Sequence, residues 1–363
     1  MSVSSFVFIL SVCSYGYDPP SVKDYLPPEV DGALPGGVDA LLDEKGNVEY
    51  DAIGADEVLK YLFDLFKTQF RSAAVPFFSL FGLVIICSLF SNYSALTKNG
   101  TAAKTYGFLS SLCLGITISG VLTSLWDELY ELSGKLTSLI NAISLSTVSI
   151  YAFSGNVTEA AVNRANIAIF VSFISGVFKY GLFPVLQICF AFSFISSVTD
   201  LCDLSSLSAL VRRIYTSVIV FIMGVFTTVI SVRQVLASRA DTMLVRGVKM
   251  AAGSFIPIVG NAVGEAARVV SAGLGSLKSS VGVICIAALI ICVLPLFIKM
   301  LVTKTSFLFG AVFADVLGLK REAAFIRSGS ELLNFSLALI SSVSTVFIIN
   351  LMIFAGSSTA IGG

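Results

Sequence analysis

Apolar runs of about twenty residues or more recur along this chain, a length that suits a helix crossing the hydrocarbon of a bilayer. They fall at Ala73–Ser91, Tyr106–Trp126, Leu136–Ser154, Asn166–Thr199, Ile214–Val232, residues 254–276, Val281–Ile298 and Phe335–Ala355. The stretches between them carry nearly all the charge. The pattern predicts an all-α, polytopic transmembrane helical bundle of about eight spans, or seven if 254–276 does not cross. Leu136–Ser154 is rich in Ser and Thr and contains Asn141, so it is better buried against helices than against lipid. Asn166–Thr199 is too long for one simple span and is interrupted by Lys179, Gly181 and Pro184. It reads either as one kinked, tilted helix or as two half-helices meeting at that break.

Residues 254–298 hold two apolar segments joined by small residues. In the first, Gly260, Gly264, Ala267, Ser271 and Gly275 recur at helical steps and line one face, where another backbone could approach closely. Glu265 and Arg268 stand on a neighbouring face; they read either as a local ion pair or as the lining of an aqueous path. The second segment, Val281–Ile298, is uncharged. Lys179 is the other charge set deep in a run, either snorkelling to an interface or serving a polar site. Together Lys179, Glu265 and Arg268 form a candidate intramembrane polar region, enclosed in the bundle or at a subunit interface.

Charge sets an expected topology. Residues 18–72 carry twelve acidic side chains against five basic ones, with prolines at 19, 20, 27, 28 and 35. They read as an acidic extracytoplasmic arm ending, from Ala55, in an interfacial helix. Positive residues in short loops mark the cytoplasmic side. Lys98 and Lys104 then place the loop 92–105 inside, as Arg233, Arg239, Arg246 and Lys249 place 233–253. The DELYELSGK segment at 127–135 fits a loop outside. The basic residues of 299–335 ask for the same side as 233–253, so 254–276 and 281–298 read as a hairpin, and Thr305–Leu319 as an interfacial helix. The domains follow: 1–17, whose FVFILSV run resembles a signal sequence without its basic start; the arm, 18–72; the transmembrane domain, 73–356; and a small-residue tail, 357–363.

Composition narrows the chemistry. Of 363 residues, 56% are hydrophobic and 13% charged, with no histidine and a net charge of zero. Imidazole acid–base chemistry is thereby excluded. The seven cysteines show no CxxC spacing and read as small buried hydrophobes. No phosphate loop, acidic metal motif or Gly-x-Ser-x-Gly context occurs, and the i, i+4 spacing of Ser175 and Lys179 is common by chance. The reading assigns no catalytic residue, cofactor or metal, and no basic patch interleaved with aromatics points to nucleic acid.

Three stretches carry a family resemblance: SFIPIVGNAVGEAARVV (254–270), LKSSVGVICIAALIICVLPLFIK (277–299) and RSGSELLNF (327–335). They resemble stage III sporulation protein AE of endospore-forming Firmicutes, over roughly residues 60–355. The resemblance implies a large multi-pass component of a channel-like complex between mother cell and forespore, in the outer forespore membrane. Its implied partners are the bilayer, the other stage III sporulation A-operon proteins and, indirectly, stage II sporulation protein Q, with self-association into a homo-oligomer alongside. It implies no enzymatic residues. Against this stands a self-contained transporter with a polar site near Lys179 and Glu265/Arg268, though the two similar halves of a repeat-built transporter are not visible. An intramembrane hydrolase is a distant third.

Overall fold

The structure, a computed structural model, describes residues 26–33, 55–96, 100–198, 204–255 and 260–356. Among these residues every regular element is helical. They are α1 (Pro28–Ala33), α2 (Ala55–Leu96), α3 (Gly100–Phe153), α4 (Val157–Gly176), a π-helical segment (Val177–Leu182), α5 (Phe183–Val198), α6 (Ser205–Phe255), α7 (Gly260–Val316) and α8 (Lys320–Gly356). The chain is an all-α bundle, as its apolar pattern predicts. Among the described residues six helices are long and apolar enough to cross a membrane, rather than seven or eight, because runs read as separate spans are fused.

The fusion has a visible cause in α3. Ile118, Leu122, Leu125, Leu129, Leu132, Leu136, Leu139 and Ile143 follow alternating steps of four and three, the heptad spacing that keeps one seam against a partner. All eight are buried. The seam passes straight through 127–135, so that segment is the middle of a helix and not an outside loop. The same fusion joins 260–276, 281–298 and most of 305–319 into α7, replacing the expected hairpin and interfacial helix with one rod. The helix that begins at Ala55 likewise continues into the first span as α2.

The break at Lys179–Pro184 is resolved without a gap. Pro184 has no N–H to give in an α-helical turn, and the chain widens just before it into the π segment, where Phe183 N–H reaches the carbonyl of Phe178. Tyr215 of α6 donates its hydroxyl to the Val177 carbonyl at 3.3 Å. Gly181 leaves room for that phenol, since a Cβ there would lie 2.1 Å from the Tyr215 oxygen. The kinked single helix, rather than two half-helices, is thus the form adopted.

Contacts along the rods fix their register. α5, the π segment and α4 run antiparallel to α3, from Ser111–Ser197 through Tyr130–Phe183 to Asn163–Thr147. α6 runs back along α4–α5, from Cys189–Ser208 through Phe170–Phe226 to the α4 N-terminus. α7 and α8 form an antiparallel hairpin, joined at Gly318, and α2 lies beside α7. The α3 and α7 C-termini close alike, with Gly155 (φ 77°) and Gly318 (φ 84°) in the left-handed region that favours glycine. Asn156 N–H reaches the Tyr151 carbonyl and Leu319 N–H the Ala314 carbonyl, both at 2.9 Å. α1 is tucked against α3 and α7 with Val30 fully buried, so this part of the acidic arm is docked.

This register revises the topology. The near end of the bundle holds the α2 C-terminal half (Phe90 stacks on Tyr106), the end of α5 with the start of α6, and the α7–α8 turn (Ser110 donates to Glu322). The far end holds the α3–α4 turn, Asp241 of α6 and the C-terminus of α8. The described parts of 92–105 and of 233–253, both expected on the cytoplasmic side, therefore stand at opposite ends. So do 233–253 and the α7–α8 turn. One helix, α7, separates the last two, so the crossings between them are odd in number and not even.

The tightest backbone approach in the α7–α8 hairpin is at Gly282, where an added Cβ would lie 2.6 Å from the Ala355 Cβ and 3.4 Å from its Cα. Gly282→Leu should lower thermal stability in detergent by about 1–3 kcal/mol through overpacking. Gly224→Leu, at a position with nothing within 4 Å, should leave stability nearly unchanged. Equal unfolding temperatures for the two variants would show that this contact does not hold the hairpin.

Candidate functional site

Two polar layers interrupt the apolar bundle. The first lies at its far end, around the start of α4. Its N-terminal N–H groups have no partner within the helix, and a buried side chain from α6 takes two of them. Asp241 accepts from the N–H of Thr158 at 3.0 Å and of Glu159 at 2.8 Å. A carboxylate there also meets the positive end of the helix dipole. Around it, Asn156 donates to Glu159, Asn163 to the Thr147 hydroxyl and Gln234 to the Tyr151 hydroxyl, all of these residues being buried. Leu136–Ser154 faces protein rather than lipid at these polar positions, which explains its Ser and Thr content; Asn141 itself is exposed.

The second layer is a belt at mid-height. Lys299 of α7 bonds Glu128 of α3, and Arg212 of α6 bonds Glu331 of α8. Arg212 is buried and also donates to Ser208, whose hydroxyl donates to the Cys189 carbonyl. Lys304 donates to Asn334 at 2.7 Å, across the α7–α8 hairpin. The pairs link α3 to α7 and α6 to α8, so each joins helices distant in sequence. Chemically they fix helices; among the described residues no three His, Cys, Asp or Glu side chains converge as metal ligands would.

Of the three charges expected to form an intramembrane polar region, Lys179 alone has its side chain among the described residues. Lys179 lies on the belt, in the π segment, but it is exposed on the outer flank, with its ammonium 5.3 Å from the Tyr180 ring centre. Ser175 is exposed beside it. Glu265 and Arg268 lie on the first turns of α7, where the side chains fall outside the described residues. Arg268 precedes the belt residue Lys299 on one continuous helix, about 45 Å along the axis. The side chains of Gly260, Gly264, Ala267 and Ser271 are also outside the described residues. Gly275 has no heavy atom of the described residues within 4 Å of where a Cβ would stand.

Sequence reading did not single out Asp241, Glu159, Arg212, Glu128 or Glu331. Glu128 was detectable: it sits one residue before Leu129 on an unbroken heptad seam, which makes its segment helical. Asp241 gave no local sign, because its role depends on a helix N-terminus 83 residues earlier.

The fold and its polar layers define a multi-pass, helical membrane protein. The family model for stage III sporulation protein AE matches residues 40–358, and the chain belongs to that family. Stage III sporulation protein AE of Bacillus subtilis (strain 168) is 26% identical over 216 residues, which cover 58% of this chain and 54% of that protein. The aligned part thus spans about half the length of this relative. No solved structure matches the chain. A role in sporulation follows from the family.

Replacing Asp241 with Ala should lower stability by about 1–2 kcal/mol, the loss of a helix cap whose two donors are left buried. Asp241→Asn, which keeps one acceptor oxygen, should recover part of it. Thermal unfolding of the purified protein measures both, and an Ala variant as stable as the parent would remove the cap from the account.

Proposed function

We propose that this chain is a non-enzymatic integral membrane component of a channel or secretion-like complex linking mother cell and forespore during endospore formation. In this reading it sits in the outer forespore membrane and works with the other stage III sporulation A-operon proteins and, indirectly, stage II sporulation protein Q. The observation that supports it is height. α3 has 54 residues and α7 has 57, so these rods are about 80 Å long, against about 30 Å of hydrocarbon. Even tilted by about 40°, such a rod rises about 60 Å. Yet large apolar side chains are exposed along the whole flank, including Phe78, Ile86, Leu89, Ile116 and Val312 on the near side of the belt, and Leu145, Phe221, Ile290 and Met352 on the far side. Lipid covers one storey; the other calls for protein.

The far storey suits the bilayer better. There α3, α6, α7 and α8 present charge-free segments at one level: 136–154, 214–232, 279–298 and 332–356. The near storey ends in Asp315, Lys320, Arg321, Glu322 and Arg327 at the α7–α8 turn. Arg233 and Arg239 at the far end mark that side as cytoplasmic. The near storey then projects from the membrane into the space between the two cells, where other members of the complex would cover it.

Two measurements test this reading. In a background lacking native cysteines, Thr105→Cys and Arg239→Cys should react with an impermeant maleimide from opposite sides, Thr105→Cys from outside. Labelling of both from one side would overturn the orientation. A tagged chain purified from sporulating cells should bring down A-operon proteins, and Phe78→Asp together with Leu89→Asp should release them while the chain stays in the membrane. Recovery of the wild-type chain alone would favour the self-contained transporter.

A further inference from the structure

Between α4 and α6, at the far end, lies a cleft of about 430 Å³. We propose that it is a binding site for the phosphate headgroup of an anionic phospholipid. The inference rests on the far storey being the one in the bilayer. Asn166 of α4 and Arg233 of α6 line the cleft, and three alanines, Ala165, Ala237 and Ala240, keep it open where longer side chains would close it. Asn166 is buried, and its amide nitrogen has no hydrogen-bond partner among the described residues. A buried donor in that condition carries a free-energy cost that an acceptor oxygen in the cleft would relieve. Arg233 is exposed and has no ion-pair partner among the described residues, so its guanidinium is available as a fork for a phosphate. Thr158, also exposed, adds a hydroxyl to the lining.

The level of the cleft says why the anion is a lipid's. The uncharged stretch of α6 ends at Val232, and Arg233 is the first charge after it, which is the headgroup position for a helix whose preceding nineteen residues lie in hydrocarbon. Toward the belt, the flank beside the cleft is apolar and exposed: Val225, Val229 and Val232 on α6 and Ile169 on α4. Acyl chains hanging from a phosphate at Arg233 would run along that flank. The nearby Asp241 carboxylate is already committed to the α4 N–H groups, so it does not occupy the guanidinium. A lipid held this way would join α4 to α6, the pair whose far ends otherwise meet through the Asp241 cap.

Native mass spectrometry of the full chain in detergent tests the assignment with phosphatidylglycerol, phosphatidylcholine of the same acyl chains, and inorganic phosphate. Phosphatidylglycerol should be retained selectively, and Arg233→Gln should weaken it about tenfold, as expected for one lost charge-assisted contact. Asn166→Leu, which keeps the volume and removes the donor, should weaken it about fivefold. Arg239→Gln makes the same charge change at the same end outside the cleft and should have no effect. Equal retention of the two lipids, or equal loss in Arg233→Gln and Arg239→Gln, would overturn the site in favour of diffuse surface attraction. Displacement of phosphatidylglycerol by millimolar phosphate would show a free-anion site and overturn the lipid assignment. Unfolding temperatures without lipid identify any variant that fails by misfolding, and Val162→Trp, which fills the cleft without touching a charge, then provides the independent loss of binding. Detergent binding does not depend on membrane orientation, so failure here leaves the labelling result standing.

Discussion

The thickness of the bilayer is the constraint on which the rest of this structure depends. Hydrocarbon about 30 Å deep can dry roughly twenty helical residues, and here the apolar stretches of five continuous helices run for 37 to 49. Each can cross once only, whatever its hydropathy. What looks along the chain like a sequence of separate spans is therefore, in space, two storeys of a single set of rods. The charged belt between them is where the sequence appears to break into loops. The rods do not break there because the heptad seam of α3, from Ile118 to Ile143, is buried on both sides of it.

Helix type and apolar faces were legible in the sequence, since composition and run length alone require an all-α membrane bundle. Continuity was not read, although α3 displayed it: Leu125, Leu129, Leu132 and Leu136 keep their spacing through Asp127, Glu128 and Glu131. Hydropathy averages over that seam and sees only the charges beside it. The positive-inside argument put 92–105, 233–253 and 299–335 on one side because two spans each were counted along α3 and α7, where each is one continuous helix. The break at Lys179–Pro184 was legible as a site of irregular backbone, because Pro184 removes a donor wherever it sits in a helix. Its form depended on Tyr215, 38 positions beyond Val177, supplying a hydroxyl to the Val177 carbonyl.

Polar residues in the bundle illustrate a general accounting. Hydroxyls on its flanks turn back to the carbonyl of the preceding turn, as Thr117 does to Cys113 and Ser172 to Ala168, so they need no neighbour. Some carboxylates and amides instead have their demand met by a second helix. Asp241 requires the α4 N-terminus, and Asn163 takes up Thr147 across the α3–α4 hairpin. Such positions tie the far ends of α3, α4 and α6 together. Candidate polar positions were consequently hard to rank from sequence: depth in a run marks cost, whereas the partner that relieves the cost is a matter of tertiary register.

The belt answers a difficulty that the seam itself creates. A heptad interface of similar aliphatic residues tolerates a slip of seven positions, about 10 Å, with little change in buried area. Two storeys of nearly uniform apolar surface would make such slips between helices hard to exclude. Ion pairs do exclude them, because a slipped register leaves a charge facing hydrocarbon or an apolar neighbour. Glu128–Lys299 sets α3 against α7, and Arg212–Glu331 sets α6 against α8. The α3–α4 and α7–α8 turns, closed by Gly155 and Gly318, fix the hairpins they join. With those four constraints the relative heights of α3, α4, α7, α8 and α6 are all determined. The belt is thus the element that specifies one stacking of the rods.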